Sequence, residues 1–195
     1  MNWEASRKSH RSSDSFGAIP WWSYSCTYFL DQVIPKEWTV LELGGGASTE
    51  WWSRRGNSVT TLETSSAWAK ELSARLAKGG LKSEIVEISE FTEPALDEII
   101  GDRMFDVVVN DGDGDRNLIA FSLLRYVNPD GTYIWDNSDR EEYSDSLDRF
   151  EEFGWKNLKF FGLAPINAYA GETTVFSRRA FSPLNEKPKF NKIKN

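Results

Sequence analysis

Seven short runs rich in β-branched and aromatic residues recur along this chain, and most are separated by stretches with helical spacing. The runs are WTVLEL (38–43), SVTTLE (58–63), SEIVEI (83–88), FDVVVN (105–110), GTYIWD (131–136), NLKFFG (157–162) and ETTVFSR (172–178). Helices are predicted at 23–34, 48–55, 66–78, 94–100, 116–127 and 140–153. Such alternation constrains the chain to an α/β domain, because strands joined by crossover helices come out parallel and need cover on both faces. Only the connection GLAPINAYAGE (162–172) lacks helical character, so the last two strands are expected to pair antiparallel. The predicted architecture is a seven-stranded, mostly parallel sheet with an antiparallel last strand and helices on both faces.

A chain of 195 residues fits one domain with a full core. That domain is expected over 16–179, between a flexible polar arm (1–15) and a flexible basic tail (180–195) containing two prolines and four lysines. The net charge of −7 leaves no basic footprint for a nucleic acid, so a small molecule is the expected partner. Cys26 is the only cysteine, which excludes an intrachain disulfide and a cysteine-rich zinc site and suits a reducing compartment. There is no apolar leader and no run of about 18 apolar residues, so no membrane partner is expected and the location is read as cytoplasmic. Nothing marks an oligomeric interface.

In an open parallel sheet, ligands bind beyond the carboxyl ends of the strands, where strand order reverses. The first strand runs there into Glu42-Leu43-Gly44-Gly45-Gly46-Ala47-Ser48, a turn whose glycines let backbone approach a ligand closely. Glu63 ends the next strand, 21 residues after Glu42, where a carboxylate can accept both hydroxyls of a ribose. A pyrophosphate cofactor would want glycine at the position held by Thr49, and Glu42 would repel a phosphate. A nucleoside cofactor carrying positive charge fits better, and S-adenosylmethionine, with an ammonium, a sulfonium and no phosphate, has that chemistry.

These features together resemble the class I S-adenosylmethionine-dependent methyltransferases, over roughly residues 20–179. More narrowly, PWWSY (20–24), ELGGGASTEWW (42–52), the Asp-Gly stretch at 111, DNSDR (136–140) and APINAY (164–169) resemble a group of bacterial methyltransferase-like proteins. The resemblance implies a Rossmann-like α/β fold and a cofactor site at Glu42, Gly44, Gly45, Gly46, Ser48, Glu63 and Asp111. It also implies an adenine-reading position at Ser89 and Glu90, after the third strand.

The alternating aspartates of VVVNDGDGDRN (107–117) have calcium-loop spacing, but an EF-hand wants Gly and Glu where Arg116 and Ser122 stand. Asp136 and Asn137 end the next strand, so Asp111, Asp136 and Asn137 are expected to converge. Two carboxylates and an amide oxygen suit a hard cation such as Mg²⁺. The pattern is similar to that of metal-dependent catechol and caffeoyl-CoA O-methyltransferases, which carry an aspartate and an Asp-Asn pair at the corresponding places. The lysine base of the catechol enzyme would fall on Gly114, leaving Asp113, Asp115 and Asp139 as candidate bases. The candidate catalytic residues are Asp111, Asp136 and Asp139. Three readings of the acids stay open: a metal site, direct contact with a substrate hydroxyl or amine, and plain turn and cap chemistry, which fits Asp115 best.

Candidate substrate contacts are Trp22, Tyr24, Arg116, Arg140, Asn167 and Tyr169, with Tyr28 and Pro165 nearby. Arg116 and Arg140 each follow an acid and could pair with it or bind a substrate anion. Trp51 and Trp52 are expected to pack in the core, Trp68 either to adjoin the adenine or to pack its helix, and His10 to have no catalytic role. The reading is methyl transfer to an oxygen or nitrogen of a small polar metabolite, with Mg²⁺ as a candidate cofactor. The alternatives are an aminopropyltransferase of the polyamine type and a catalytically silent cofactor-binding or interaction module.

Overall fold

The computed structural model describes residues 3–9, 12–14, 17–179 and 181. His10 and all of the expected tail but Phe181 lie outside them. Seven strands form one sheet: β1 (Thr39–Leu43), β2 (Ser58–Glu63), β3 (Glu84–Glu87), β4 (Phe105–Asn110), β5 (Val127–Asp136), β6 (Lys156–Leu163) and β7 (Ala170–Ser177). Their order is β3-β2-β1-β4-β5-β7-β6, with β7 antiparallel to both neighbours and all other pairings parallel. The sheet predicted from the run spacing is therefore present, and the order reverses between β1 and β4.

The two-residue period of the central strands sorts the core into two layers. Val107, Val109, Ile134 and Val175 face one side and pack with Trp22, Leu30 and Trp52. Val108, Tyr133, Trp135 and Phe176 face the other and pack with Leu123, Leu147 and Phe150. Helices α2 (Tyr24–Val33) and α3 (Ala47–Arg55) carry residues of the first layer, and α5 (Glu93–Ile100) and α7 (Ser144–Glu152) residues of the second. Ser23 caps α2, its Oγ accepting the Cys26 N–H at 3.3 Å, and Ser65 caps α4 (Ser66–Lys78) in the same way at Trp68. No helix among the described residues is long and apolar enough to cross a membrane.

Some segments have other bounds than expected, β5 among them, which begins at Val127 and not at Gly131. The helix predicted over 116–127 is a single turn, α6 (Asn117–Ala120), followed by a 3₁₀ stretch at Ser122–Tyr126. Three residues per turn eclipses positions three apart, and this brings both Leu123 and Tyr126 into the core. Within the stretch read as a flexible arm, Trp3–Ser9 forms helix α1, and Ser13–Asp14 pairs with Gly17–Ala18 in a short ribbon. Helix α1 is tied to the connection between β6 and β7. The Trp3 indole donates to the Asn167 carbonyl at 2.9 Å, and the Ile166 N–H donates to Ser6 Oγ at 3.1 Å.

Candidate active site

The carboxyl ends of β1, β2, β4 and β5 open onto a cleft of about 1350 Å³. Its floor at β1 is the glycine turn. Gly44 has φ 82° and donates to the Leu62 carbonyl at 2.9 Å, and a Cβ there would come within 2.8 Å of the Asp111 carbonyl oxygen. Left-handed backbone and contact with the β4 loop both demand glycine. Gly46 instead has open space where a Cβ would stand, on the cleft side of the turn. Ser48, which follows at the start of α3, also lines the cleft.

Glu63 lines the cleft at the end of β2. Its Oε2 accepts the Gly45 N–H at 2.9 Å and its Oε1 the Ser65 N–H at 2.8 Å, so the carboxylate is held rigidly against the turn. Each carboxylate oxygen takes two donors, which leaves an acceptor position on both. Trp68 closes this end, donating from its indole to the Gly45 carbonyl at 2.7 Å while Arg75 stacks 5.3 Å over its ring.

Glu42 is placed differently from expectation. It is wholly buried beneath the turn and outside the cleft lining, with Thr49 Oγ1 donating to its Oε2 at 2.5 Å and Thr61 Oγ1 at 3.3 Å. Burial raises its pKa to about 7. Its work is to fix the turn from below, since Thr49 in turn accepts the Gly46 N–H at 3.0 Å. Ser89 and Glu90 are exposed and off the cleft, and Phe91 takes the lining position, packed so closely that a Cβ on Gly112 would lie 2.3 Å from its ring. Phe91 was detectable as the first aromatic residue after the third strand.

At the other end, Asp111, Asp136 and Asn137 converge on the cleft as expected, together with Asp113, Arg116 and Arg140. Asp111 is gripped from two sides: Trp22 Nε1 donates to Oδ2 at 3.0 Å, and Arg116 Nη2 pairs with Oδ1 at 2.9 Å. Trp22 is thus fully buried behind Asp111 and does not line the cleft, whereas Trp21 does. Tyr24 and Tyr28 are off the lining too. Asp139 lies outside the cleft, accepting the Glu172 N–H at 3.2 Å, so its surroundings are those of a turn residue. Asp115 accepts the Asn117 N–H at 2.9 Å and caps the turn into α6. Asn167 and Tyr169 line the far wall, with Ile166 at φ 68° beside them. Trp52 is buried and Trp51 half-buried against Trp22, in agreement with core packing.

No family model matches the sequence, and no curated protein is similar to it at a significant level. Solved structures are similar in fold. A methyltransferase from Pyrococcus furiosus is 15% identical, covers 90% of this chain and 97% of that one, and superposes with a TM-score of 0.64. An O-methyltransferase from Bacillus cereus in complex with S-adenosylhomocysteine is 20% identical over 89% and 87%, at 0.62. The O-methyltransferase TomG from Streptomyces achromogenes, involved in tomaymycin synthesis and in complex with S-adenosylmethionine, is 21% identical over 78% and 76%, at 0.56.

The chain shares the fold of these methyltransferases.

Within this shared fold the acids do not fit the expected Mg²⁺. Among the described residues no group of three or more acids, histidines or cysteines could hold a metal ion, so an ion here would depend on Asp111, Asp136 and the Asn137 amide alone. Asp111 accepts from Trp22 and pairs with Arg116, Asp136 Oδ1 accepts from Thr173 Oγ1 at 2.6 Å, and Asn137 Oδ1 accepts from Arg140 Nη2 at 3.2 Å, so guanidinium groups already stand at two of the three residues. A hard dication needs several oxygens free to converge, without a guanidinium beside them.

Burial, and then the neighbouring Asp111, push the Asp136 carboxyl up to about 8. Asp111 itself is raised by burial, against the opposing pull of Arg116. Unfolded carboxyls titrate near about 4. Between that value and about 8 the folded chain therefore holds protons at Asp136 and Glu42 that the unfolded chain has lost. Their contribution to stability is full below about pH 4 and is lost as pH rises through about 7 to 8. Asp136→Asn, neutral at every pH, is expected to flatten the upper part of that fall. Urea midpoints of both proteins at about pH 5, 7 and 9 check this, and parallel profiles would count against it.

Proposed function

We propose that the chain transfers a methyl group from S-adenosylmethionine to an oxygen or nitrogen of a small polar acceptor. One observation carries the reading: Gly44–Gly46 and Glu63 face Asp111 across a single cleft at the point where strand order reverses. Its likeness in fold to O-methyltransferases that bind S-adenosylmethionine or S-adenosylhomocysteine adds support and favours an oxygen acceptor.

The glycine turn would take the cofactor's amino-acid part, with Gly46 as the point of closest approach. Glu63 would accept the ribose hydroxyls, and Trp68 and Phe91 would flank the purine with apolar surface. Bound there, S-adenosylmethionine would supply an electrophilic methyl carbon, with its sulfur as the leaving group when the acceptor's lone pair bonds to that carbon. Asp111 would accept the hydrogen bond of the acceptor's O–H or N–H and take its proton as the new bond forms. Trp22 and Arg116 would keep the carboxylate from swinging, and Asn167 and Tyr169 would orient the acceptor from the opposite wall. Orientation of this kind contributes most to an in-line displacement. Arg116 and Arg140 beside the acids weigh against the polyamine-type aminopropyl transfer, whose acceptor is itself a cation.

Calorimetry with S-adenosylmethionine and S-adenosylhomocysteine tests the cofactor half. Binding of both in the micromolar range is expected. Glu63→Gln should weaken it by about tenfold or more, as loss of charged hydrogen bonds does. A wild-type protein that binds neither compound sinks the reading. Release of S-adenosylhomocysteine over panels of phenols, sugars and amines then identifies the acceptor, and binding without turnover on any of them would favour a silent cofactor-binding module.

A further inference from the structure

The cation that the acidic end of the cleft calls for is already supplied by the chain. Arg116 is buried, with 9% of its side chain exposed, at a place where a guanidinium needs many partners. It has them. Nε donates to the Gly112 carbonyl at 3.0 Å, Nη1 to the Asp136 carbonyl, and Nη2 to the Asp111 carbonyl at 3.3 Å and to the Asp111 carboxylate at 2.9 Å. One side chain thereby ties the loop after β4 to the end of β5. The junction is completed by Asn110, whose side-chain nitrogen donates to the Arg116 carbonyl at 3.1 Å.

A divalent ion shared by Asp111, Asp136 and Asn137 would have to lie against this guanidinium, and against a second one where Arg140 holds Asn137. At Asp111 and Asp136 it would also compete with the hydrogen bonds from the Trp22 indole and the Thr173 hydroxyl. The geometry points to Arg116 as the built-in cation of this site: it takes the place of a divalent metal, excludes one, and positions Asp111 for metal-independent methyl transfer. Arg116 is a positioning residue, acting through Asp111. The proposal rests on the methyl-transfer reading only for what Asp111 does next, because exclusion of a dication can be read without turnover.

The test is a titration of the full chain with Mn²⁺, followed by electron paramagnetic resonance of the free ion, with S-adenosylhomocysteine present and absent. Wild type is expected to take up no stoichiometric Mn²⁺ into the millimolar range. Arg116→Ala, which removes the guanidinium, should gain Mn²⁺ affinity by at least about tenfold, and Asp111→Asn in that background should cancel the gain. Arg116→Gln removes the charge while keeping an amide to meet the Gly112 and Asp136 carbonyls, and it carries the same expectation if Arg116→Ala does not fold. A role confined to packing would move stability and leave Mn²⁺ uptake unchanged. One Mn²⁺ bound to wild type and lost in Asp111→Asn overturns the proposal, as does a folded Arg116 variant with no gain. Calorimetry of wild type with S-adenosylhomocysteine in the same buffers separates the two readings: failure there removes methyl transfer and leaves the Mn²⁺ result standing on its own.

Discussion

Gly44→Ala is expected to weaken S-adenosylhomocysteine binding by about a hundredfold, the scale on which displacing a site by about 1 Å acts. Two effects combine. A β-carbon at φ 82° costs about 1–2 kcal/mol in backbone conformation alone. The same atom would lie 2.8 Å from the Asp111 carbonyl oxygen and 2.9 Å from the Gly112 Cα, both backbone atoms that cannot rotate aside. Relief means driving the β1 and β4 loops apart, and those loops carry the two halves of the cleft. Gly46→Ala is the informative partner, because its added methyl meets nothing within 4 Å. Its unfolding free energy should stay within about 0.5 kcal/mol of wild type, so any loss of affinity reports contact with the bound cofactor. Calorimetry and urea unfolding of both variants check the pair, and wild-type affinity in Gly44→Ala would contradict the argument.

Phe150→Ala should have the largest effect on stability. Phe150 is fully buried, and its ring lies 4.7 Å from Phe176, 5.1 Å from Tyr133 and 5.8 Å from Trp135, centroid to centroid. Emptying such a site costs about 3–5 kcal/mol, a large share of the 5–15 kcal/mol, roughly, that holds a domain together. Phe150→Leu retains most of the volume and should lose clearly less. Denaturant unfolding followed by tryptophan fluorescence measures both, and a loss under about 1 kcal/mol for the alanine variant would show that the cluster can collapse around the gap.

The sheet was legible because most strands had an abrupt start and stop, although β5 begins at Val127, four residues before its expected run. β2 and β4 run over the residues expected, and α4 does as well, being bounded by its Ser65 cap and by Gly79. The stretch at 116–127 was not, because over so short a segment the periods of an α-helix and a 3₁₀-helix bring nearly the same residues inward. The start of the chain was opaque for another reason. Its polar residues find their partners in a loop more than 150 residues away, and no local pattern encodes such a pairing.

In the site, what topology governs was readable: the glycine turn, Glu63 and Asp111 sit at strand ends, and strand ends meet where strand order reverses. What side-chain direction governs was not. Glu42 and Glu63 look alike in sequence, yet one lies under the turn and the other faces the cleft. Asp136 and Asn137 carried the pattern of a metal pair, while the residue that fills the cation's role, Arg116, could equally have been a substrate anchor until its four partners were seen.

The tie between α1 and the β6–β7 connection also sets an order of events in synthesis. Trp3 leaves the ribosome 164 residues before Asn167, and Ser6 leaves 160 before Ile166. Closing a loop of that length is entropically unfavourable until intervening structure has shortened it, so α1 must wait for the sheet to form. The wall of the cleft that carries Asn167 and Tyr169 is therefore completed late, and a nascent chain can hold its glycine turn well before it can close that wall.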